Sequence, residues 1–316
     1  MEIKDLGERK LIGIIRSVQG YRWPNSDCAY FDVGNRRILV TNDSITSKTH
    51  IPSGASPQDI GYFFAAVNLS DIAAMGGTPK YFMSSLVLPS NLDVNYLKGL
   101  QVGVKRCLKR YGARIIGGDL KKGTEIVLTG IAIGEVDRNK MMQRLSMRRG
   151  EALCVTGKLG GNAAGYYSWK SGAKAGAKQL LSVEPRIREG KFLSDNGVRA
   201  AMDLSDGVYS AIHQISAATG LGFTIGYDSL PVSEHARKAS VKYGLSIENL
   251  CLNFGGEYEL LFSVGARRFG ALASKAKARG ISITRIGTIN GNGNYLVKEG
   301  KKISISKYGY EHFITD

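Results

Sequence analysis

Aspartates recur in this chain within or beside glycine-containing turns, with no cysteine or histidine pair at zinc spacing near them: Asp27, Asp43, Asp71 in NLSDIAAMGGTP, Asp119 in IGGD and Asp206 in MDLSDG. If the fold gathers them they cannot all stay ionised alone, because two carboxylates ~5 Å apart repel by about 3 kcal/mol at an effective dielectric of about 20. A divalent cation relieves that repulsion. All-oxygen ligands select a hard ion, and Mg2+ takes one or two carboxylates while waters and substrate phosphates complete its octahedron. The chemistry indicated is therefore that of nucleotide phosphates. Met singly, Gly117-Gly118-Asp119 and Ser205-Asp206-Gly207 are ordinary turns, and Asp27 and Asp43 are ordinary acids beside a hairpin. Asp71 is less ordinary, since a carboxylate on an apolar helix face needs a partner. The inference rests on the set.

The elements that must position these acids can be read from the same sequence. Residues 29–33 and 37–41 read as strands around Gly34-Asn35, a hairpin signal. Asp27 and Asp43 flank the two strands at nearly equal distances from the turn, so antiparallel pairing makes them neighbours. Residues 57–75 read as a helix with Ser56 as N-cap and Gly76-Gly77 as its stop. Phe64, Asn68, Asp71 and Met75 share one of its faces. Beyond it come a strand at 81–88, a helix at 93–111, a strand at 114–116 ending in the Gly-Gly-Asp turn, and a strand at 125–134. The polar, basic stretch 141–151 reads as a boundary. A second α/β stretch follows: strands at 152–156 and 222–227, a helix at 208–219 closed by Gly220, a strand in GGEYELLFSV, a basic helix at 266–279 and closing strands at 281–286.

Other chemistries find less support. Gly157-Lys158-Leu159-Gly160-Gly161 does not fit the P-loop pattern and reads as a tight strand-to-helix connection. His50 and His213 lack a second ligand at zinc spacing, and no nucleophile elbow is present. Cys28, Cys107, Cys154 and Cys251 lie far apart and read as core thiols in a reducing compartment. A chain of 316 residues, 43% hydrophobic, is long enough for two cores of ordinary size. Its apolar runs fall short of the ~20 residues of a membrane span, and its first residues are too charged for a secretory signal. A cytoplasmic protein is expected. The net charge of +16 is spread along the sequence without a basic stripe interleaved with aromatics. That speaks against nucleic acid as a partner and leaves long-range attraction of a small anionic substrate.

In order along the chain, NLSDIAAMGGTP, IGGD, VTG, PRIREG, MDLSDG, GGEYELLF and the terminal GYEHF resemble the thiamine-monophosphate kinase family. Its superfamily also holds aminoimidazole ribonucleotide synthetase, selenophosphate synthetase and a hydrogenase-maturation protein. The segments span nearly the whole length. The absence of a Gly-Thr-Lys signature separates the chain from the purine-pathway synthetase, and the lack of an N-terminal catalytic cysteine separates it from the selenophosphate enzyme.

The resemblance implies an α/β fold of α+β type. An N-terminal ATP/Mg-binding and dimerisation domain over residues 1–140 would contribute to a β-barrel spanning a homodimer, and residues 141–316 would form an α/β domain of the aminoimidazole ribonucleotide synthetase-like type. It implies transfer of the γ-phosphate of ATP to thiamine monophosphate, assisted by Mg2+ on Asp27, Asp43, Asp71, Asp119 and Asp206, of which Asp71, Asp119 and Asp206 are the catalytic acids. Asn68, Asp119, Arg144 and Ser205 would face the nucleotide, and His50, Glu257 and Tyr310 the second substrate. The sequence departs from the family at Ser26, Asn42, Leu120 and Ala211, where acids or threonines are usual, and in GGEYEL, which lacks an acid after Glu257. Two other readings remain open: a superfamily kinase acting on a different small phosphate or alcohol, and a non-catalytic nucleotide-binding dimer.

Overall fold

The structure, a computed structural model, describes residues 2–20, 25–306 and 309–313. Helix α1 (Glu8–Gln19) precedes the hairpin of β1 (Ala29–Val33) and β2 (Arg36–Thr46). The hairpin pairs Ala29 with Val40 and Val33 with Arg36 across Gly34-Asn35, and Gly34 takes the φ of +59° that such a turn needs. β2 runs past the expected end, so Asp43 stands within the strand.

Helix α2 (Pro57–Ala74) starts at Ser56, whose hydroxyl oxygen accepts from the Asp59 amide at 3.1 Å. It is apolar nearly all round, and such a helix must be covered on every side. Strand β3 (Thr78–Pro89), helix α3 (Val94–Tyr111), and strands β4 (Arg114–Gly123) and β5 (Val127–Asp137) complete the first sheet, in the order β1-β2-β5-β3-β4. α2 and α3 approach so closely that a Cβ on Gly61 would fall 1.9 Å from the Leu100 carbonyl oxygen and one on Gly103 2.0 Å from that of Gln58.

Gly117-Gly118-Asp119 is not the expected turn. It lies inside β4, which pairs parallel with β3, and a Cβ on Gly118 would meet the Ser84 carbonyl oxygen at 2.4 Å. The glycine serves a close strand approach here. The sheet stays open within one chain, with no closed barrel among the described residues. Its edge strands β1 and β4 expose Phe31, Val33, Ile115, Ile116 and Leu120.

The second half contains β6 (Glu151–Thr156), α4 (Gly161–Lys170), α5 (Lys174–Leu180), α6 (Ile187–Asp195), β7 (Ala200–Asp203), α7 (Val208–Thr219), β8 (Gly222–Gly226), α8 (Glu234–Tyr243), β9 (Leu260–Gly265), α9 (Phe269–Ala278), β10 (Ile283–Asn290), β11 (Asn294–Lys298) and β12 (Lys301–Ser304). The strands form a mixed sheet ordered β12-β11-β8-β10-β6-β9-β7, with β8 and β11 parallel. The expected GGEYELLFSV strand begins only at Leu260, and Gly255 to Glu259 form the approach to it.

The halves meet on α2. A Cβ on Gly190 of α6 would lie 2.1 Å from the Ala73 carbonyl oxygen, and Ala73 and Ala74 share a core with Phe192, Leu260 and Phe262. All four cysteines are buried and free. No described helix is long and apolar enough to cross a membrane.

Candidate metal and phosphate site

Four local structures converge where the halves meet. Asp27 stands just before β1, Asp43 lies in β2, Asp71 lies in the last turns of α2, and Asp203 ends β7. Asp27, Asp71 and Asp203 each offer an oxygen within 4.8 Å of the others, a spacing suited to a shared cation. Asp27 Oδ2 is buried with no hydrogen-bond partner, while Oδ1 accepts from Arg144 Nη2 at 2.5 Å. A buried carboxyl oxygen without a donor calls for a partner, which a bound cation would supply. The donor set, carboxylates with no nitrogen or sulfur, fits a hard cation such as Mg2+.

Neighbouring groups aim these acids. The Thr41 hydroxyl donates to Asp71. The Ser70 hydroxyl donates to Asp203 at 2.6 Å, tying α2 to β7. Asn68 accepts from the Asp43 amide at 3.0 Å and donates to the Phe64 carbonyl at 3.0 Å. It fits because Gly130 of β5 lacks a side chain: a Cβ there would lie 2.4 Å from Asn68 Nδ2. Asn68 therefore fixes the strand that carries Asp43.

Crowded carboxylates without a cation resist ionisation. Burial, then Asp206 and Asp27, pushes Asp43 up to about 6. Burial, then Asp27, pushes Asp203 up to about 7. Burial, then Glu8, pushes Asp206 up to about 6. Asp71 is raised well above the usual carboxylate range by burial and then by Asp43. Burial works against the charge of Arg144, but Asp27 beside it more than compensates and its pKa is raised.

Asp203 and Tyr258 were missed in the sequence reading, as were Glu8 and His312 at the mouth of the site. Asp203 left one signal, as the lone acid closing the otherwise apolar strand AAMD. The Tyr310 amide donates to the Asp206 carbonyl at 3.3 Å, and the Glu8 amide to that of His312 at 3.2 Å. Tyr310 and His312 rings lie 4.9 Å apart, and His50 and His312 rings 5.7 Å apart. His50 and Tyr310 thus meet through His312 beside Asp206. Burial, then His312, lowers the His50 pKa.

Two expected residues stand apart. In the paired rows of the first sheet, Asp43, Gly130, Ser84 and Gly118 lie side by side, while Asp119 lies in the next row with Ser85, Thr129 and Ser44. Side chains alternate along a strand, so Asp119 faces the side of the sheet opposite Asp43. Its carboxylate is 54% exposed and pairs with Lys121 at 3.3 Å. Glu257 is half-buried at the start of α4, where Oε1 accepts from the Asn162 amide at 2.9 Å. Burial, only partly offset by that bond, pushes it up to about 8. It caps a helix. Ser205 is exposed, and its carbonyl accepts from the Gly256 amide at 2.6 Å.

Comparison with known proteins follows the same outline. Residues 25–136 match the AIR synthase related protein N-terminal domain, and residues 148–298 the corresponding C-terminal domain. The chain is 32% identical over 290 residues to the thiamine-monophosphate kinase of Pyrococcus horikoshii, covering 90% of this chain and 89% of that one. It is 31% identical over 300 residues to that of Salmonella typhimurium, covering 92% and 91%. A solved structure of AaThiL complexed with AMPPCP and TMP superposes with a TM-score of 0.88 at 28% identity, covering 99% of both chains.

Proposed function

The chain belongs to the AIR synthase related family and, within it, to the thiamine-monophosphate kinases, and from that premise we propose that it transfers the γ-phosphate of ATP to thiamine monophosphate, yielding thiamine diphosphate and ADP. The observation that carries the reading is the buried acid set with Arg144 against it and an unpartnered Asp27 oxygen. A phosphate oxygen of thiamine monophosphate forms the new bond to the γ-phosphorus, and the bond from that phosphorus to the bridging oxygen of ADP breaks. The acceptor phosphate is largely ionised near neutral pH, its second pKa being about 6. No general base is required. Asp27, Asp43, Asp71, Asp203 and Asp206 would hold Mg2+, which would supply charge neutralisation for the transferring group. Asp71 and Asp206 are the catalytic acids of this reading.

Arg144 orients Asp27 through its contact at 2.5 Å, and Asn68 keeps β2 in register. In this reading Asn68, Arg144 and Ser205 face the nucleotide, Asn68 through its bond to the Asp43 amide and Arg144 through its contact with Asp27. His50 and Tyr310, joined by His312, offer aromatic faces to a heteroaromatic substrate. The reading includes a cytoplasmic homodimer in which the open edges of the first sheet pair into a barrel. Asp119 on β4 acts in that dimer, because within one chain it faces away from Asp43. The division into domains 1–140 and 141–316 is supported by the step from β5 to β6.

Product analysis tests the proposal. With ATP, Mg2+ and thiamine monophosphate, the protein is expected to form thiamine diphosphate and Asp71→Asn is not. Turnover of another acceptor with none on thiamine monophosphate would indicate a different kinase, and ATP binding without any turnover a non-catalytic dimer. Either result overturns the reading.

A further inference from the structure

Strand β7 has a different chemistry at each end. It closes on Asp203 in the acid set and opens on Ala200, about 10 Å away at ~3.3 Å per residue. At the Ala200 end β6 begins and β9 finishes, with Glu151 paired to Gly265 and Ala200 to Ser263. A pocket of about 410 Å³ lies among these strand ends, within the size range of small-molecule sites. Met141, Ala200 and Val264, all buried, supply its apolar lining.

The charged part of the lining is mostly cationic. Arg148, Arg199 and Arg268, all exposed, reach it from three separate segments, against one acid, Glu151. Arg268 immediately precedes α9, and its guanidinium lies over Gly197, where a Cβ would stand 3.1 Å from Nη2. Nη2 donates to the Asn196 carbonyl at 3.0 Å, and Arg199 Nη1 donates to the Asn139 carbonyl. These main-chain partners orient two guanidinium groups without neutralising them. Glu151 is already committed, because Oε2 accepts from the Arg148 amide at 3.0 Å and from the Ser263 hydroxyl at 2.5 Å. Among the described residues no carboxylate forms an ion pair with any of the three arginines.

We propose that this pocket is a second anion site, separate from the acid set, and that it binds a small organic phosphate: the arginines take the phosphoryl group and the apolar lining takes the body that carries it. Planar guanidinium groups bind phosphoryl oxygens in bidentate pairs. Three positive charges against one negative suit a doubly charged ligand. A bare phosphate would leave the apolar lining unused. The acid set does not compete for this ligand in the absence of a cation, since its carboxylates repel an anion. The kinase reading is not a premise of the proposal.

Calorimetric titration of phenyl phosphate into the full-length protein in EDTA tests this, with inorganic phosphate as the arm that lacks a body. Phenyl phosphate is expected to bind about tenfold more tightly than inorganic phosphate, the scale of burying part of a ring. Arg199→Gln and Arg268→Gln change exposed side chains, and each variant is expected to melt with the wild type and to weaken binding about tenfold, the weight of a hydrogen bond to a charged group. Arg148→Gln is a third, independent arm with the same expectation. Phenyl phosphate that fails to bind, or that binds all three variants as tightly as the wild type, overturns the proposal. Equal affinity for inorganic phosphate also overturns it, in favour of a site for the bare ion. Tighter binding of a single-stranded RNA oligonucleotide through the same arginines would assign them to nucleic acid instead. None of these readouts involves phosphoryl transfer, so their outcome is independent of the kinase reading.

Discussion

Arg144 Nη2 lies 2.5 Å from Asp27 Oδ1, and the two side chains are 14% and 0% exposed, so each is the other's replacement for water. The pair sits at the edge of the acid set, and Arg144 also donates to Gln214 Oε1 at 3.2 Å, which fixes the guanidinium plane. Removing one partner of a buried pair strands the other charge, typically at about 3–5 kcal/mol. Arg144→Ala is therefore expected to lose stability of about that order in denaturant titration at neutral pH in EDTA. Millimolar Mg2+ should return part of the loss, because the ion takes over the cationic role. Equal losses with and without Mg2+ would count against a cation site at Asp27.

Asp71→Asn separates the electrostatic role of this side chain from its packing. The amide oxygen can still accept from Thr41, while a carboxyl that burial, Asp43 and Asp203 already hold back from ionising gives way to a neutral amide. The metal-free variant should melt at or above the wild type. Its turnover should fall by about a hundredfold or more, the scale of losing preorganised charge stabilisation. A variant with wild-type turnover at saturating Mg2+ would remove Asp71 from the site.

How much of this was legible depends on the range of the interaction concerned. The hairpin that joins Asp27 to Asp43 was readable because Gly34-Asn35 sets its register locally, and Asp71 because helical spacing put it on an apolar face. Gly117-Gly118-Asp119 was misread as a turn because two glycines look the same in a turn and in a tightly paired strand. Only the pairing with Ser84, distant in sequence, distinguishes them. Glu257 was expected at the substrate, and the partner it has in the fold, the Asn162 amide, was not readable because it lies 95 residues away in sequence. Asp203 was masked by its neighbour Asp206 in one motif, although strand alternation and a local turn give the two different surroundings.

Gly130→Ala probes how Asp43 is held without touching any acid. The new Cβ would lie 2.4 Å from Asn68 Nδ2, so Asn68 must move and release the Asp43 amide. Overpacking of this kind costs about 1–3 kcal/mol. The variant should also need more Mg2+ for half-maximal activity. A stability loss with unchanged Mg2+ dependence would limit Asn68 to a packing role.

The acids also dictate how stability follows pH. Asp43, Asp203 and Asp206 are pushed up to about 6, about 7 and about 6 in the fold, whereas an unfolded aspartate titrates near ~3.9. Between these values the folded state binds protons that the unfolded state has lost, so stability falls as pH rises from about 4 to about 7 and then levels off. In EDTA the melting temperature should be higher at pH 5 than at pH 8. Mg2+ should flatten or reverse that difference by taking the place of the protons. A higher melting temperature at pH 8 in EDTA would contradict the crowding of these carboxylates.

Glu257→Gln decides between two roles for one side chain. At pH 7 the Glu257 carboxyl, pushed up to about 8 by burial, is mostly protonated, and glutamine preserves its shape and the oxygen that accepts from Asn162. If capping α4 is its function, the variant should stay within about 1 kcal/mol of the wild type at pH 7, the scale of a single neutral hydrogen bond, with KM for thiamine monophosphate unchanged. The wild type alone titrates at this position. Its stability relative to the variant should therefore decline as pH rises from about 4 to about 8, where the unfolded chain has released a proton that the fold retains, and change little above. A KM raised by about tenfold, with no such pH trend, would instead place Glu257 against the substrate and require α4 to be capped by another group when the substrate binds.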